Sequence, residues 1–201
     1  MMRIITGKAR GAKLAAPKGE TTRPTAERTK EAIFSSLQFD LSGREVLDLF
    51  AGSGQMGLEA ISRGAAHAVL CDRSREAADV IRANALKTRL APQCEIFCSD
   101  WATLLQRLCR RYRFDLVFLD PPYAAGVLPE VLQRLDRGGL LADGTIVVCE
   151  TGDADTLTDE VLVPRFERVR QAKYGVAHVS ILHYHAQDTD GEAPIEGGET
   201  V

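Results

Sequence analysis

From Glu45 onward, short apolar runs alternate with segments whose apolar positions recur every three to four residues. The runs Glu45–Phe50, Ala68–Asp72, Glu95–Cys98, Asp115–Leu119 and Thr145–Glu150 read as strands. The stretches 56–63, 74–87, 101–111 and 127–136 between them read as helices. Short, almost continuously apolar strands separated by helices predict an α/β fold with a mostly parallel sheet covered on both faces. Two later runs, Phe166–Tyr174 and Val176–Tyr184, meet at Gly175 and predict a closing antiparallel hairpin, which brings the sheet to seven strands. Upstream, Arg3-Ile4-Ile5 and Lys13-Leu14-Ala15 flank Gly7 and Gly11, the pattern of a small β-hairpin. A helix is expected from about Ala26 to Leu37, capped by Thr25. Ile33 and Leu37, four apart, would seat that helix on the core, with Arg28 and Lys30 facing outward.

Composition adds limits. With 201 residues, 45% hydrophobic and 26% charged, the chain suits one well-cored domain. No apolar run approaches the roughly 20 residues that span a bilayer, and the N-terminus lacks a signal-like core, so a cytoplasmic protein is expected. Five cysteines without a Cys-x-x-Cys pair argue against a disulfide framework or zinc site. His183 and His185 share a strand face, but without further ligands they suggest no metal. Nothing marks a self-association surface, and a monomer is expected.

The net charge of −3 hides an asymmetry: residues 1–30 carry +6 and the remainder −9. A basic arm on an acidic body points to a polyanionic partner held by the N-terminal segment. Residues 186–201 hold five acids and no bases, the composition of a disordered tail. The expected organisation is therefore a basic hairpin-and-helix extension over 1–40, a central domain over 41–185 and the acidic tail.

Three motifs carry chemistry. Asp120-Pro121-Pro122-Tyr123 follows a buried strand, and two prolines there force a rigid exit. A carboxylate, a backbone carbonyl and an aromatic face are thereby held close together at a strand's carboxyl end, where open α/β sheets bind ligands. That trio suits gripping a flat ring by an exocyclic amino group. Gly52-Ser53-Gly54-Gln55-Met56-Gly57 opens a helix after strand Glu45–Phe50 and fits any nucleoside-binding turn. Asp48 places an acid where a pyrophosphate gains nothing from it; such an acid can face a cationic ligand or orient the loop through backbone amides. Asp72 ends the next strand, placed for a ribose, and Ser99-Asp100-Trp101 could hold an adenine, with Asp100 also suited to cap a helix. A sulfonium amino acid, a ribose and an adenine are combined in S-adenosylmethionine.

Read together, these motifs resemble class I S-adenosylmethionine-dependent methyltransferases that modify exocyclic amines. Arg3-Ile4-Ile5-Thr6-Gly7-Lys8-Ala9-Arg10-Gly11, Arg23-Pro24-Thr25-(x)2-Arg28 and Ser62-Arg63-Gly64-Ala65 narrow the resemblance to the RsmD-type 16S ribosomal RNA guanine-N2 methyltransferases, over roughly residues 2–184. Ser35 departs from the Asn usual in that family. The resemblance implies a Rossmann-like methyltransferase fold. It implies that Asp48, Phe50, Ala51, Gly52, Ser53, Gly54, Met56, Asp72, Arg73, Asp100 and Trp101 serve the cofactor, and that Asp120, Pro121, Pro122 and Tyr123 serve catalysis. Arg10, Lys13, Arg23, Thr25 and Arg28 are the candidates for contacts to 16S RNA, within an assembling small subunit. Asp120 and the Pro121 carbonyl would accept from the amino hydrogens while Tyr123 stacks on a flipped base.

Three rivals share parts of this pattern. A DNA adenine-N6 or cytosine-N4 methyltransferase uses similar chemistry but usually adds a recognition domain, for which this chain has no room. An NAD-dependent oxidoreductase would explain the glycine loop and leave Asp-Pro-Pro-Tyr without a purpose. A non-catalytic RNA-binding factor would not need the carboxylate and tyrosine.

Overall fold

The computed structural model describes residues 2–18, 24–37, 40–122, 126–152, 157, 162 and 164–186. Seven strands form one sheet: β1 (Glu45–Asp48), β2 (His67–Asp72), β3 (Cys94–Cys98), β4 (Phe114–Leu119), β5 (Leu141–Thr151), β6 (Phe166–Tyr174) and β7 (Ala177–Tyr184). Their spatial order is β3-β2-β1-β4-β5-β7-β6. Strands β1 to β5 run parallel, and β7 is antiparallel to both β5 and β6. The order reverses between β1 and β4, which makes their carboxyl ends the crevice of the sheet. The α/β architecture and the closing hairpin match the sequence pattern. Strand β5 starts earlier than expected, because a register shift between Phe114 and Leu116 admits extra residues there. The Thr145 hydroxyl ties the irregularity down by donating to the carbonyls of Phe114 and Ala142, each at 2.6 Å.

Helices α1 (Pro24–Ser36), α2 (Gln55–Ser62), α3 (Arg75–Lys87), α4 (Trp101–Leu108) and α5 (Leu128–Arg137) cover the sheet. Period-two alternation in β4 divides the core: Leu116 and Phe118 join the layer under α1 to α3, whereas Val117 and Leu119 join the layer under α4 and α5. Helix α5 shows why a mostly polar segment docks. Leu128, Val131, Leu132 and Leu135 form one buried stripe, and each full burial stabilises by about 1.5–3 kcal/mol.

The N-terminal arm pairs more sparingly than the pattern suggested, with one antiparallel bridge between Arg3 and Lys13. Flanking bonds run from Ile4 N to Ala12 O (2.9 Å) and from Leu14 N to Met2 O (2.9 Å). Ile4 and Leu14 share the core of α1 to α3, so the arm lies packed on the body. Two expectations about α1 need correcting. The helix begins at Pro24, whose fixed φ and missing N–H suit a first position, so Thr25 lies within the first turn and does not cap it. Lys30 does not face outward: it is 2% exposed and lies beside Glu59. It shares the i, i+3, i+4, i+7 stripe with Ile33, Phe34 and Leu37, and the helical period overrode its charge. Arg28 is exposed, as expected.

Candidate active site

The carboxyl ends of β1 to β4 surround a cavity of about 700 Å³. Backbone bonds continue the sheet past its strands and fix the rim. Leu49 N donates to Phe118 O (3.2 Å), Ala51 N to Cys71 O (2.8 Å) and Ser99 N to Asp72 O (3.0 Å). Above this frame the glycine loop turns through Gly52 (φ 53°) and Gly54 (φ 78°), left-handed conformations that glycine adopts at little cost. Gly57 is needed for a different reason. A Cβ there would stand 2.8 Å from Leu70 Cδ2, so either this buried leucine or the helix would have to shift.

Asp48 lies beneath the loop, buried, and its Oδ2 accepts from Gly57 N at 3.0 Å. Loss of hydration raises its pKa to about 7, reinforced by the charge of Asp72 and opposed by the Gly57 bond. Of the two roles open to an acid at this position, the structure displays loop orientation through a backbone amide. Asp48, Gly54 and Met56 are not among the cavity's lining residues, whereas Phe50, Ala51, Gly52, Ser53, Asp72, Arg73, Asp100 and Trp101 are.

Asp72 is half-exposed at the end of β2. Its Oδ2 accepts from Gly52 N (3.0 Å) and its Oδ1 from Ser74 N (2.8 Å). Each carboxylate oxygen has a second lone pair, so the group can brace the loop and still receive a hydroxyl. Asp100 caps α4, its Oδ1 accepting from Ala102 N (2.9 Å) and Thr103 N (3.4 Å). Both of these bonds go to Oδ1 and none to Oδ2. The half-buried Trp101 ring lies under the Arg134 guanidinium, 5.2 Å from its centroid. Asp120, Pro121 and Pro122 close the opposite wall, with Asp120 exposed and Pro121 buried. Tyr123 and Arg23 lie outside the described residues, and Thr25 is described through its backbone alone.

The arm reaches this site from behind. Buried Asn84 donates from Nδ2 to both Ser53 O and Ala15 O (each 2.9 Å) and accepts from Ala15 N (2.8 Å), which joins the glycine loop to the arm. Arg10 and Lys13 project from the arm as exposed cations. Sequence reasoning missed Asn84, and also Leu49, Gln55 and Val127 of the cavity wall. Gln55 follows the second loop glycine and was readable as the first residue of α2. Val127, five residues after Pro122 and just before α5, carried no chemical signal of its own.

Residues 2–183 match the family described as Conserved hypothetical protein 95. The chain belongs to that family. It is 36% identical over 150 residues to the ribosomal RNA small subunit methyltransferase D of Escherichia coli (strain K12), covering 75% of this chain and 74% of that protein. It is 33% identical over 181 residues to YlbH of Bacillus subtilis (strain 168), with 90% and 97% covered. Among solved structures, YhhF from Escherichia coli superposes with a TM-score of 0.79 at 31% identity, over 92% of this chain and 98% of that one. Membership in the family agrees with the resemblance carried by the arm and the glycine loop, and the Rossmann-like methyltransferase fold is the one observed.

Proposed function

We propose that this chain methylates the exocyclic N2 amino group of a guanine in 16S ribosomal RNA, using S-adenosylmethionine, within an assembling small subunit. The observation that carries the reading is one cavity faced by two sets of groups, Asp72, Asp100 and Trp101 on one side and Asp120-Pro121-Pro122 on the other. The relatives named as ribosomal RNA methyltransferases agree with it.

The residues present fit the cofactor. Phe50, Ala51, Gly52 and Ser53 offer a close backbone approach, Asp72 retains lone pairs for a ribose, and Asp100 Oδ2 with the Trp101 face suits an adenine. The cofactor supplies an electrophilic methyl group. Asp120 Oδ and the Pro121 carbonyl accept from the two amino hydrogens and favour the nitrogen as it becomes pyramidal and positive, which is stabilisation specific to the transition state. Asp120 or water takes the released proton. By its place in the motif, Tyr123 stacks on the base, a contact worth about 1–3 kcal/mol. Holding both reactants in one cavity removes much of the entropic barrier. Arg10, Lys13 and Arg28, exposed on the arm and α1, and Arg23 by sequence, contact phosphates; such contacts position the substrate without specifying it.

The test is transfer of labelled methyl to small-subunit particles lacking the modification, beside naked 16S RNA and DNA, with nucleoside analysis. N2-methylguanine in RNA is expected, and label appearing only in DNA would refute the reading. Asp120→Ala should keep cofactor affinity within about twofold and lower kcat by about 10²–10³, the usual cost of one transition-state hydrogen bond. Near-normal turnover by that variant would remove Asp120 from the mechanism.

A further inference from the structure

At the other end of β4 lies a second concentration of charge that the reaction does not use. Between Trp101 and Phe114 the chain carries Arg107, Arg110, Arg111 and Arg113 and no acid. The structure brings Arg110, Arg111 and Arg113 together with Arg137, from the last turn of α5, around a recess of about 460 Å³. All four are exposed, and none forms an ion pair among the described residues.

Two nearby acids are matched by cations from outside the recess, Asp115 by Arg44 (3.1 Å) and Asp136 by Arg165 (2.9 Å). Glu95 accepts from the Tyr112 hydroxyl (2.5 Å), a neutral donor that leaves its charge in place. The four guanidinium groups outnumber it, which makes the recess a positive patch on a chain whose net charge is −3. The segment is also held in place. Tyr112 stacks on Phe114 with ring centroids 5.7 Å apart, and Arg111 N donates to Leu108 O at 2.9 Å. Arg110 sits at φ 60°, where a glycine would avoid roughly 1–2 kcal/mol of strain, yet the chain carries an arginine there. Gly139, in the left-handed region at φ 61°, lines the recess with backbone and leaves open space where a side chain would stand. Guanidinium groups clustered on a fixed backbone suit phosphate oxygens, which arginine can grip bidentately.

We propose that this recess is a second contact site for the ribose-phosphate backbone of the RNA substrate, about 20 Å from Asp120 along β4. The inference rests on the RNA-methylating reading above. It implies a substrate that spans from the catalytic cavity past the amino ends of the strands, at least about six nucleotides at a stacked rise of about 3.4 Å.

The full chain and the variant Arg110→Gln/Arg111→Gln/Arg113→Gln/Arg137→Gln are titrated with 16S RNA transcript at several salt concentrations and assayed on undermodified particles. The slope of log K against log salt should shrink by about 2–4, since each lost phosphate contact removes roughly 0.7–0.9. KM for particles should rise at least tenfold, with kcat and S-adenosylhomocysteine affinity within twofold. The matching four-fold Arg→Lys variant should keep most of the slope, because lysine still neutralises phosphate as a point charge. If the glutamine variant does not fold, Arg113→Gln alone decides, with an expected slope loss of about one contact. An unchanged slope and KM overturn the second site while leaving the proposed reaction intact. Absence of methyl transfer by the wild-type chain overturns the reaction instead, and the salt slope still judges the recess.

Discussion

Two carboxylates are buried at α2, one beneath its first turn and one within it, and they are provided for very differently. Asp48, under the glycine loop, accepts one described hydrogen bond, from Gly57 N. Glu59, 0% exposed in α2, accepts from Ile5 N (2.7 Å), Thr6 N (3.0 Å) and Arg63 Nε (2.9 Å), and lies 3.4 Å from Lys30 Nζ. Lys30 Nζ also donates to Arg3 O at 2.6 Å. A carboxylate given two cations and two amides can serve as a fixed anchor for the N-terminal arm. One given a single amide is costly to ionise and is held near neutrality. The same chemical group thus clips the N-terminal arm in one place and braces the glycine loop in the other.

The comparison is tested hardest by removing the anchor. Glu59→Ala strands Lys30 in the core and orphans two arm amides, and breaking such a buried pair costs about 3–5 kcal/mol. Urea unfolding should show that loss. Amide exchange should show residues 3–10 opening well before the sheet, whereas opening together with the sheet would mean that Glu59 is not what holds the arm. Glu59→Gln keeps the shape without the charge and should fall between.

A smaller effect separates two arm glycines that look alike in sequence. Both have positive φ, 84° at Gly7 and 81° at Gly11. A Cβ on Gly7 would stand 1.7 Å from Ser62 O, the carbonyl that accepts from Lys8 N, whereas one on Gly11 meets nothing within 4 Å. Gly11→Ala should cost only the left-handed penalty of about 1–2 kcal/mol. Gly7→Ala should cost that and the clip itself, about 2–4 kcal/mol in total. Equal thermal shifts for the two would show that the arm does not depend on this close approach.

These contacts also mark where the sequence stopped being legible. The alternation of strands and helices, the glycine loop and Asp-Pro-Pro at the end of β4 were readable because their signals are local: periodicity, turn chemistry and adjacency. Glu59, Lys30 and Asn84 were not, because their partners lie far away in the chain: Ile5 pairs with Glu59 across 54 positions and Ala15 with Asn84 across 69. A charged residue on a helix reads as surface until its partner is known, which is why Lys30 was expected to face outward. The glycine motif also mixes two functions that spacing alone cannot separate. Phe50 to Ser53 reach the cavity, whereas Asp48, Gly54 and Gly57 shape the turn that puts them there.

A third test keeps the loop and changes only how Asp48 responds to pH. Its folded pKa of about 7 lies above its ordinary value of 3.8, so between those values the folded chain retains a proton that the unfolded chain releases. Its contribution to stability is therefore complete below pH 4, declines as pH rises towards 7, and changes little above that. Asp48→Asn can still accept from Gly57 N, and this titration is gone. The stability of the variant relative to wild type should climb between pH 4 and 7 and then level off, as read from urea midpoints across that range. A flat difference would mean that Asp48 ionises as an ordinary carboxylate, and the contrast with Glu59 would then be one of partners alone. A climb confined to that window would assign the loop a neutral, amide-accepting brace at acidic pH, beside an anchor whose two cations compensate its charge.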